Sequence, residues 1–142
     1  YIKKNVVHCD LKTNNILYND KNKELILIDF GASCFISTNK EKDTYTNMGT
    51  MGYACTILND EGICSKKSDI YSLGACITEI WCGAIWNIGI TNKECRLEVL
   101  SSLRKIKEKE PLLEKELRKC VSLTIGKRPL IQILRKNILN IF

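Results

Sequence analysis

From Ser68 onward the apolar positions fall at helical intervals. Ile70, Leu73, Ile77, Ile80 and Trp81 recur at steps of three and four residues, with Ser68 or Asp69 near the N-cap. Ala75 and Cys76 make the opposite side apolar too, so this helix is expected to be buried nearly all round. Leu97, Leu100, Leu103 and Ile106 predict a second helix, and Leu113, Leu117, Cys120 and Val121 a third. Pro129 suits a helix start, with Leu130, Ile133, Leu134 and Ile138 following. The first half of the chain has a different rhythm. Residues 1–5 read as the end of a helix, and Val6 and Val7 lead into a polar stretch over residues 8–15. Two short apolar runs, residues 16–18 and 25–28, flank the polar residues 19–24 and predict a β-hairpin. Residues 31–65 are rich in Ser, Thr, Asn and Gly, lack a sustained period and read as a long loop. The pattern therefore predicts one mainly α-helical lobe carrying a small hairpin and a long loop.

Composition narrows this without redirecting it. The 142 residues, 44% hydrophobic and 27% charged, exclude a disordered, collagen-like or low-complexity chain. No run approaches the roughly 18 apolar residues of a membrane span. Lys3 and Lys4 have no apolar block behind them, so no signal peptide is expected. The net charge of +6 is uneven: residues 91–142 hold 13 basic and 6 acidic side chains. Glu108, Glu110, Glu114 and Glu116 interleave with the lysines at helical spacing, which favours solvated helix faces over a nucleic-acid surface. The eight cysteines include no C-x-x-C pair and stand with a single histidine, which argues against a zinc site and for reduced thiols in an intracellular protein, cytoplasmic or nuclear. The bias to Ile, Lys and Asn over Arg and Ala is the one AT-rich codons produce, and it fits a virus-encoded or protist protein.

The chemistry concentrates in His8-Cys9-Asp10-Leu11-Lys12-Thr13-Asn14-Asn15, followed 19 residues after Asp10 by Asp29-Phe30-Gly31. Together and around a hairpin these motifs resemble H-R-D-L-x-x-x-N and D-F-G, the catalytic loop and metal-binding turn of the eukaryotic-type protein kinases. Gly49-Thr50-Met51-Gly52-Tyr53 resembles the stretch before the family's A-P-E. Residues 67–74 resemble the start of its buried αF helix, and Lys127-Arg128-Pro129 its late R-P. The resemblance covers residues 1–142 and implies the C-terminal, catalytic lobe: catalytic loop 8–15, D-F-G 29–31, activation segment 29–57, αF-like helix about 67–81 and C-terminal helices about 94–142.

The resemblance assigns roles to individual residues. Asp10 would accept the proton of the incoming hydroxyl and Lys12 would neutralise charge on the transferred phosphate. Asn15 and Asp29 would hold Mg²⁺ through oxygen, and Leu17 would lie beneath the adenine of ATP. Thr50 would bridge Asp10 and Lys12, which points to serine/threonine rather than tyrosine kinases. Glu79 sits where some members bind a basic substrate residue, the other reading being an ordinary structural or solvated glutamate. His8 would pack on Phe30, and Asp69 would hydrogen-bond the catalytic-loop backbone. The expected partners are ATP and a protein substrate, with no membrane and no nucleic acid.

The sequence also departs from the pattern. Cys9 replaces the Arg that pairs with a phosphorylated loop residue, and a thiol makes no bidentate phosphate contact. The loop is therefore expected to order without phosphorylation at Ser37, Thr38, Thr44, Tyr45 or Thr46. Cys55-Thr56-Ile57 replaces A-P-E, so Ile57 stands where a Glu would pair with Arg128. Either Arg128 reaches water or Asp60 or Glu61 substitutes, the latter being preferred. The chain begins inside what resembles the preceding helix, so an N-lobe is absent from it. A fragment of a longer kinase, weak alone in ATP binding and exposing apolar surface, is the expected consequence. The alternative is a truncated kinase-like binding module or decoy that engages another kinase or its substrate. The intact Asp10, Lys12, Asn15 and Asp29 favour the enzyme.

Overall fold

The computed structural model describes residues 5–36, 42–44, 49–55, 58, 61–83 and 91–141. Helix α1 (Lys66–Cys82) is the axis of the molecule. Helices α2 (Asn92–Lys109) and α3 (Pro111–Cys120) pack on it and on each other, and α4 (Ile131–Leu139) packs on α3. Val99, Leu103 and Ile106 of α2 and Leu113 and Leu117 of α3 meet Ala75 and Cys76 of α1 in one continuous core.

The start of α1 differs from the sequence reading. Its N-cap is Ser65, not Ser68 or Asp69. Ser65 Oγ accepts the Ser68 N–H at 3.2 Å, and Ser68 Oγ accepts the Ser65 N–H at 3.2 Å, a reciprocal capping box. Asp69 is thereby released from capping. The burial of α1 also differs. Ile80 and Trp81 are 67% and 40% exposed, whereas Ser68, Asp69, Ser72, Thr78 and Glu79 are buried. Part of this polar face is satisfied within the helix: Ser72 Oγ donates to the Ser68 carbonyl and Thr78 Oγ1 to the Gly74 carbonyl, one turn back.

The apolar stripe of α3 is buried as its period predicts, at Leu113, Leu117, Cys120 and Val121, whereas α2 and α4 depart from theirs. In α2 the buried positions are Cys95, Val99, Ser102, Leu103 and Ile106, while Leu97 faces solvent. Helix α4 starts at Ile131, after an extended segment through Arg128 and Leu130, so Pro129 lies just outside the helix instead of in its first turn. Pro111 takes the first-turn position in α3. Helices α1 and α3 cross closely at Gly74, where a Cβ would lie 2.6 Å from Cys120 Cβ.

Among the described residues, three two-stranded antiparallel sheets decorate this bundle. Strands β2 (Ile16–Asn19) and β3 (Glu24–Leu27) form the expected hairpin, with Ile16 opposite Leu27 and Asn19 opposite Glu24. Asn19 Oδ1 accepts the Lys21 N–H, and Lys23 adopts a left-handed φ of 54°, which closes the turn. Strand β1 (Val6–Val7) pairs with β4 (Cys34–Phe35), and β5 (Lys42–Thr44) with β6 (Ile63–Ser65). The region read as a continuous loop thus contains β4, β5 and β6. At two or three residues each they are too short to show a period, and their partners are distant in sequence. The fold is the mainly α-helical lobe with a short hairpin, and the described part of residues 31–65 adds β4, β5 and β6. No described helix is long and apolar enough to cross a membrane.

Candidate active site

The segment from Val6 to Asn15 is fixed from below by α1. Both carboxylate oxygens of buried Asp69 are used: Oδ2 accepts the His8 N–H at 2.8 Å and Oδ1 the Cys9 N–H at 3.1 Å. Cys9 sits at φ 65°, a left-handed conformation that a residue with a Cβ adopts only when its surroundings impose it. The imidazole of His8 is fully buried. Its Nε2–H donates to the Ile28 carbonyl at 3.0 Å, Nδ1 accepts the Asp10 N–H at 3.3 Å, and the ring lies 4.8 Å from that of Phe30. One histidine therefore joins the start of the Asp10 segment to the end of β3.

Asp10 emerges from this platform into a polar cluster. Lys12 Nζ donates to Asp10 Oδ2 at 2.8 Å and to Thr50 Oγ1 at 2.9 Å, and Thr50 Oγ1 donates to Asp10 Oδ1 at 2.6 Å. Asn15 Nδ2 donates to the Asp10 carbonyl at 2.9 Å and lies 3.4 Å from Asp10 Oδ2. Gly49 permits the approach of Thr50: at φ 95° it has no Cβ to strike Ala54 Cβ at 2.6 Å or the Cys9 carbonyl at 3.2 Å. Asp29 follows immediately on Ile28, whose N–H donates to the Asn15 carbonyl at 2.9 Å. Asp29 has a left-handed φ of 59°, is exposed, and accepts the Gly31 N–H through Oδ1. The structure thus gathers Asp10, Lys12, Asn15 and Thr50 into direct contact and sets Asp29 one residue beyond a backbone bond to Asn15. Leu17 stands on the hairpin, 49% exposed.

Glu79 is placed elsewhere. It is buried, and its Oε2 accepts the Tyr53 hydroxyl at 2.6 Å; Tyr53 in turn takes a hydrogen bond from Thr13 Oγ1 at 3.1 Å. Burial first, and then the bond to Glu79, push the Tyr53 phenol far above its usual range. One carboxylate oxygen of Glu79 is thus engaged by Tyr53.

Arg128 corrects a further expectation. It is 1% exposed, so it does not reach water, and Glu61 does not pair with it. Its Nε donates to the Ser122 carbonyl at 2.8 Å and Nη1 to the Lys67 carbonyl at 3.0 Å, and its guanidinium lies 5.1 Å from the Tyr71 ring centre. Nη2 has no hydrogen-bond partner among the described residues. Thr56, Ile57 and Asp60 lie outside the described residues, as do Ser37, Thr38, Tyr45 and Thr46.

Sequence reasoning missed two groupings. One is the Thr13–Tyr53–Glu79 chain. The other is a cluster of the Cys9, Cys34 and Cys64 thiols, all buried, with sulfurs within 4.8 Å of one another. Cysteine spacing argued against such a grouping because the three come from separate elements.

With this geometry in view, the comparisons with known proteins agree in one direction. The protein kinase domain family matches residues 1–137. Wall-associated receptor kinase 2 of Arabidopsis thaliana is 41% identical over 78 residues, covering 55% of this chain and 10% of that protein. A G-type lectin S-receptor-like serine/threonine-protein kinase of the same plant is 33% identical over 130 residues, covering 82% of this chain and 15% of its own length. A probable serine/threonine-protein kinase of Dictyostelium discoideum is 33% identical over 81 residues, covering 56% of this chain and 15% of that protein. The chain belongs to the protein kinase domain family. It spans between 10% and 15% of the length of these relatives.

Proposed function

We propose that this chain forms the catalytic lobe of a serine/threonine protein kinase, which transfers the γ-phosphoryl group of ATP to a protein hydroxyl with Mg²⁺. The observation that carries the reading is the convergence of Asp10, Lys12 and Thr50 within 2.6–2.9 Å. A carboxylate so placed orients an incoming hydroxyl and accepts its proton, and the ammonium beside it offsets negative charge on the phosphoryl oxygens. Thr50 holds both groups in position. A pure binding module or decoy has no chemical need for this arrangement. The pairing of Lys12 with Thr50 and the serine/threonine kinases among the relatives support the choice of hydroxyl class.

The donor set fits a hard cation. Asn15 Nδ2 is turned to Asp10, so its amide oxygen is the atom left for a metal, and Asp29 offers a second, exposed oxygen ligand. Mg²⁺ held by Asn15 and Asp29 would neutralise phosphate charge. Leu17 offers half-exposed apolar surface to the adenine. His8, Phe30 and Asp69 act as positioning residues, because they set the backbone that carries Asp10 and Asp29. Glu79 supports Tyr53 beside Thr13. The eight thiols suit a reducing compartment, cytoplasmic or nuclear.

The test is phosphoryl transfer to a protein substrate by the full-length gene product. Asp10→Asn should lower turnover by roughly 10²–10⁴-fold with ATP binding nearly intact. Asp29→Asn should weaken Mg-ATP binding itself. Unchanged transfer in both variants overturns the assignment.

A further inference from the structure

Cys9, Cys34 and Cys64 belong to the segment before Asp10, to β4 and to β6, and their fully buried side chains meet beneath the site. Their sulfurs lie within 4.8 Å of one another, and Cys9 Sγ and Cys34 Sγ are 3.5 Å apart. We propose that these three thiols form a binding site for a thiophilic d¹⁰ cation, Zn²⁺ or Cu⁺, that ties the catalytic loop to β4 and β6.

The spacing suits such an ion. Metal–sulfur bonds of about 2.3 Å hold sulfurs about 3.8–4.0 Å apart in trigonal or tetrahedral geometry. Cys9 and Cys34 stand 3.5 Å apart and the Cys64 sulfur lies within 4.8 Å of both, so small side-chain adjustments bring the three to that spacing. Sulfur ligands select soft cations over Mg²⁺ or Ca²⁺, so this site and the oxygen donors of Asn15 and Asp29 take different metals. Each thiol that coordinates releases its proton to solvent.

A disulfide is the competing use of the cluster, and the environment opposes it. Thiolate is the form that attacks an oxidant. All three thiols are buried, away from an oxidant in solvent. A cation supplies the positive charge that makes three buried sulfur anions tolerable; an oxidant does not. The backbone around Cys9 is also set in advance, because Asp69 holds its N–H at 3.1 Å in the left-handed conformation.

The experiment uses the purified, reduced full-length protein, dialysed without oxygen against Zn²⁺ in one arm and Cu⁺ in the other. Metal per chain is counted after removal of loosely held ions. One cation per chain in either arm supports the site, and the arm identifies the ion. Cys34→Ser and Cys64→Ser should each weaken binding by more than the roughly 10–100-fold that loss of an outer-shell partner causes. Cys120→Ser, in α3 and outside the cluster, should bind as the unaltered protein does. Should the cluster variants fail to fold, Co²⁺ bound to the unaltered protein decides. Thiolate-to-cobalt charge-transfer absorption supports the site, and its absence overturns it. A lack of stoichiometric cation in both arms, equal binding by folded cluster variants, or a Cys9–Cys34 disulfide in place of metal each overturns it too. None of these readouts is kinase activity, so failure here leaves the catalytic reading standing.

Discussion

The molecule buries two opposite charges near the start of α1 and treats them differently. Asp69, beneath the loop that carries Asp10, spends each carboxylate oxygen on a backbone N–H, at 2.8 and 3.1 Å. Arg128, at the junction before α4, meets two backbone carbonyls and an aromatic face, and its Nη2 has no hydrogen-bond partner among the described residues. A buried charge gains most when each of its polar atoms is hydrogen-bonded, and an unmade bond leaves a desolvation cost standing. The contrast teaches where this lobe requires an exact backbone. The loop carrying Asp10 hangs from a charge with both oxygens engaged, while the C-terminal junction is held by a looser one that leans on Tyr71.

This contrast can be broken by experiment. Asp69→Ala should have the largest effect, about 2–5 kcal/mol of folding stability, because it strands the His8 and Cys9 N–H groups in the interior. Denaturant unfolding measures it. Arg128→Met should cost less, about 1–2 kcal/mol: the cation–π contact and two hydrogen bonds go, but so does the burial of a charge. Equal losses in the two variants would erase the distinction.

Alkaline titration compares the same two regions more gently. Burial first, with Glu79 adding, pushes Cys76 up to about 12; burial, with Glu116 adding, pushes Cys120 up to about 12. Unfolding frees both thiols to ionise near pH 8.5. Above that pH the unfolded chain binds fewer protons than the folded one, so stability should fall as pH rises from about 8.5 toward 12 and stay flat, as far as these thiols are concerned, below it. Unfolding midpoints against pH give the slope. Cys76→Ser should remove the share arising near the catalytic loop and Cys120→Ser the share beside α4. A slope untouched by both would show that these thiols do not carry the effect.

The sequence made much of the site legible because its polar residues lie in two short, spaced motifs, and neighbours in sequence share one loop. Asp10, Lys12 and Asn15 come together within six residues, and the hairpin that leads to Asp29 announced itself by two apolar runs around a polar turn. The helices were legible from their period, and so was the buried face of α3, but the buried face of α1 was not. An apolar stripe does not reveal that Ser68, Asp69, Ser72, Thr78 and Glu79 of α1 are buried while Ile80 and Trp81 meet solvent. The cap at Ser65 was obscured by two serines and an aspartate within five residues, any of which can cap. The Tyr53–Glu79 bond and the thiol cluster join residues 25 to 55 positions apart, and no local period records such contacts.

The crossing at Gly74 has a consequence for the whole lobe. The gap between α1 and α3 there is the width of a hydrogen atom, since even a methyl group would collide with Cys120 and press on Val121. Val121 also receives Arg96 of α2 through its carbonyl. A single added carbon would therefore act as a wedge at the place where three helices take their bearings from one another, prying α3 and the Arg96 anchor away from the rod that holds the Asp10 loop.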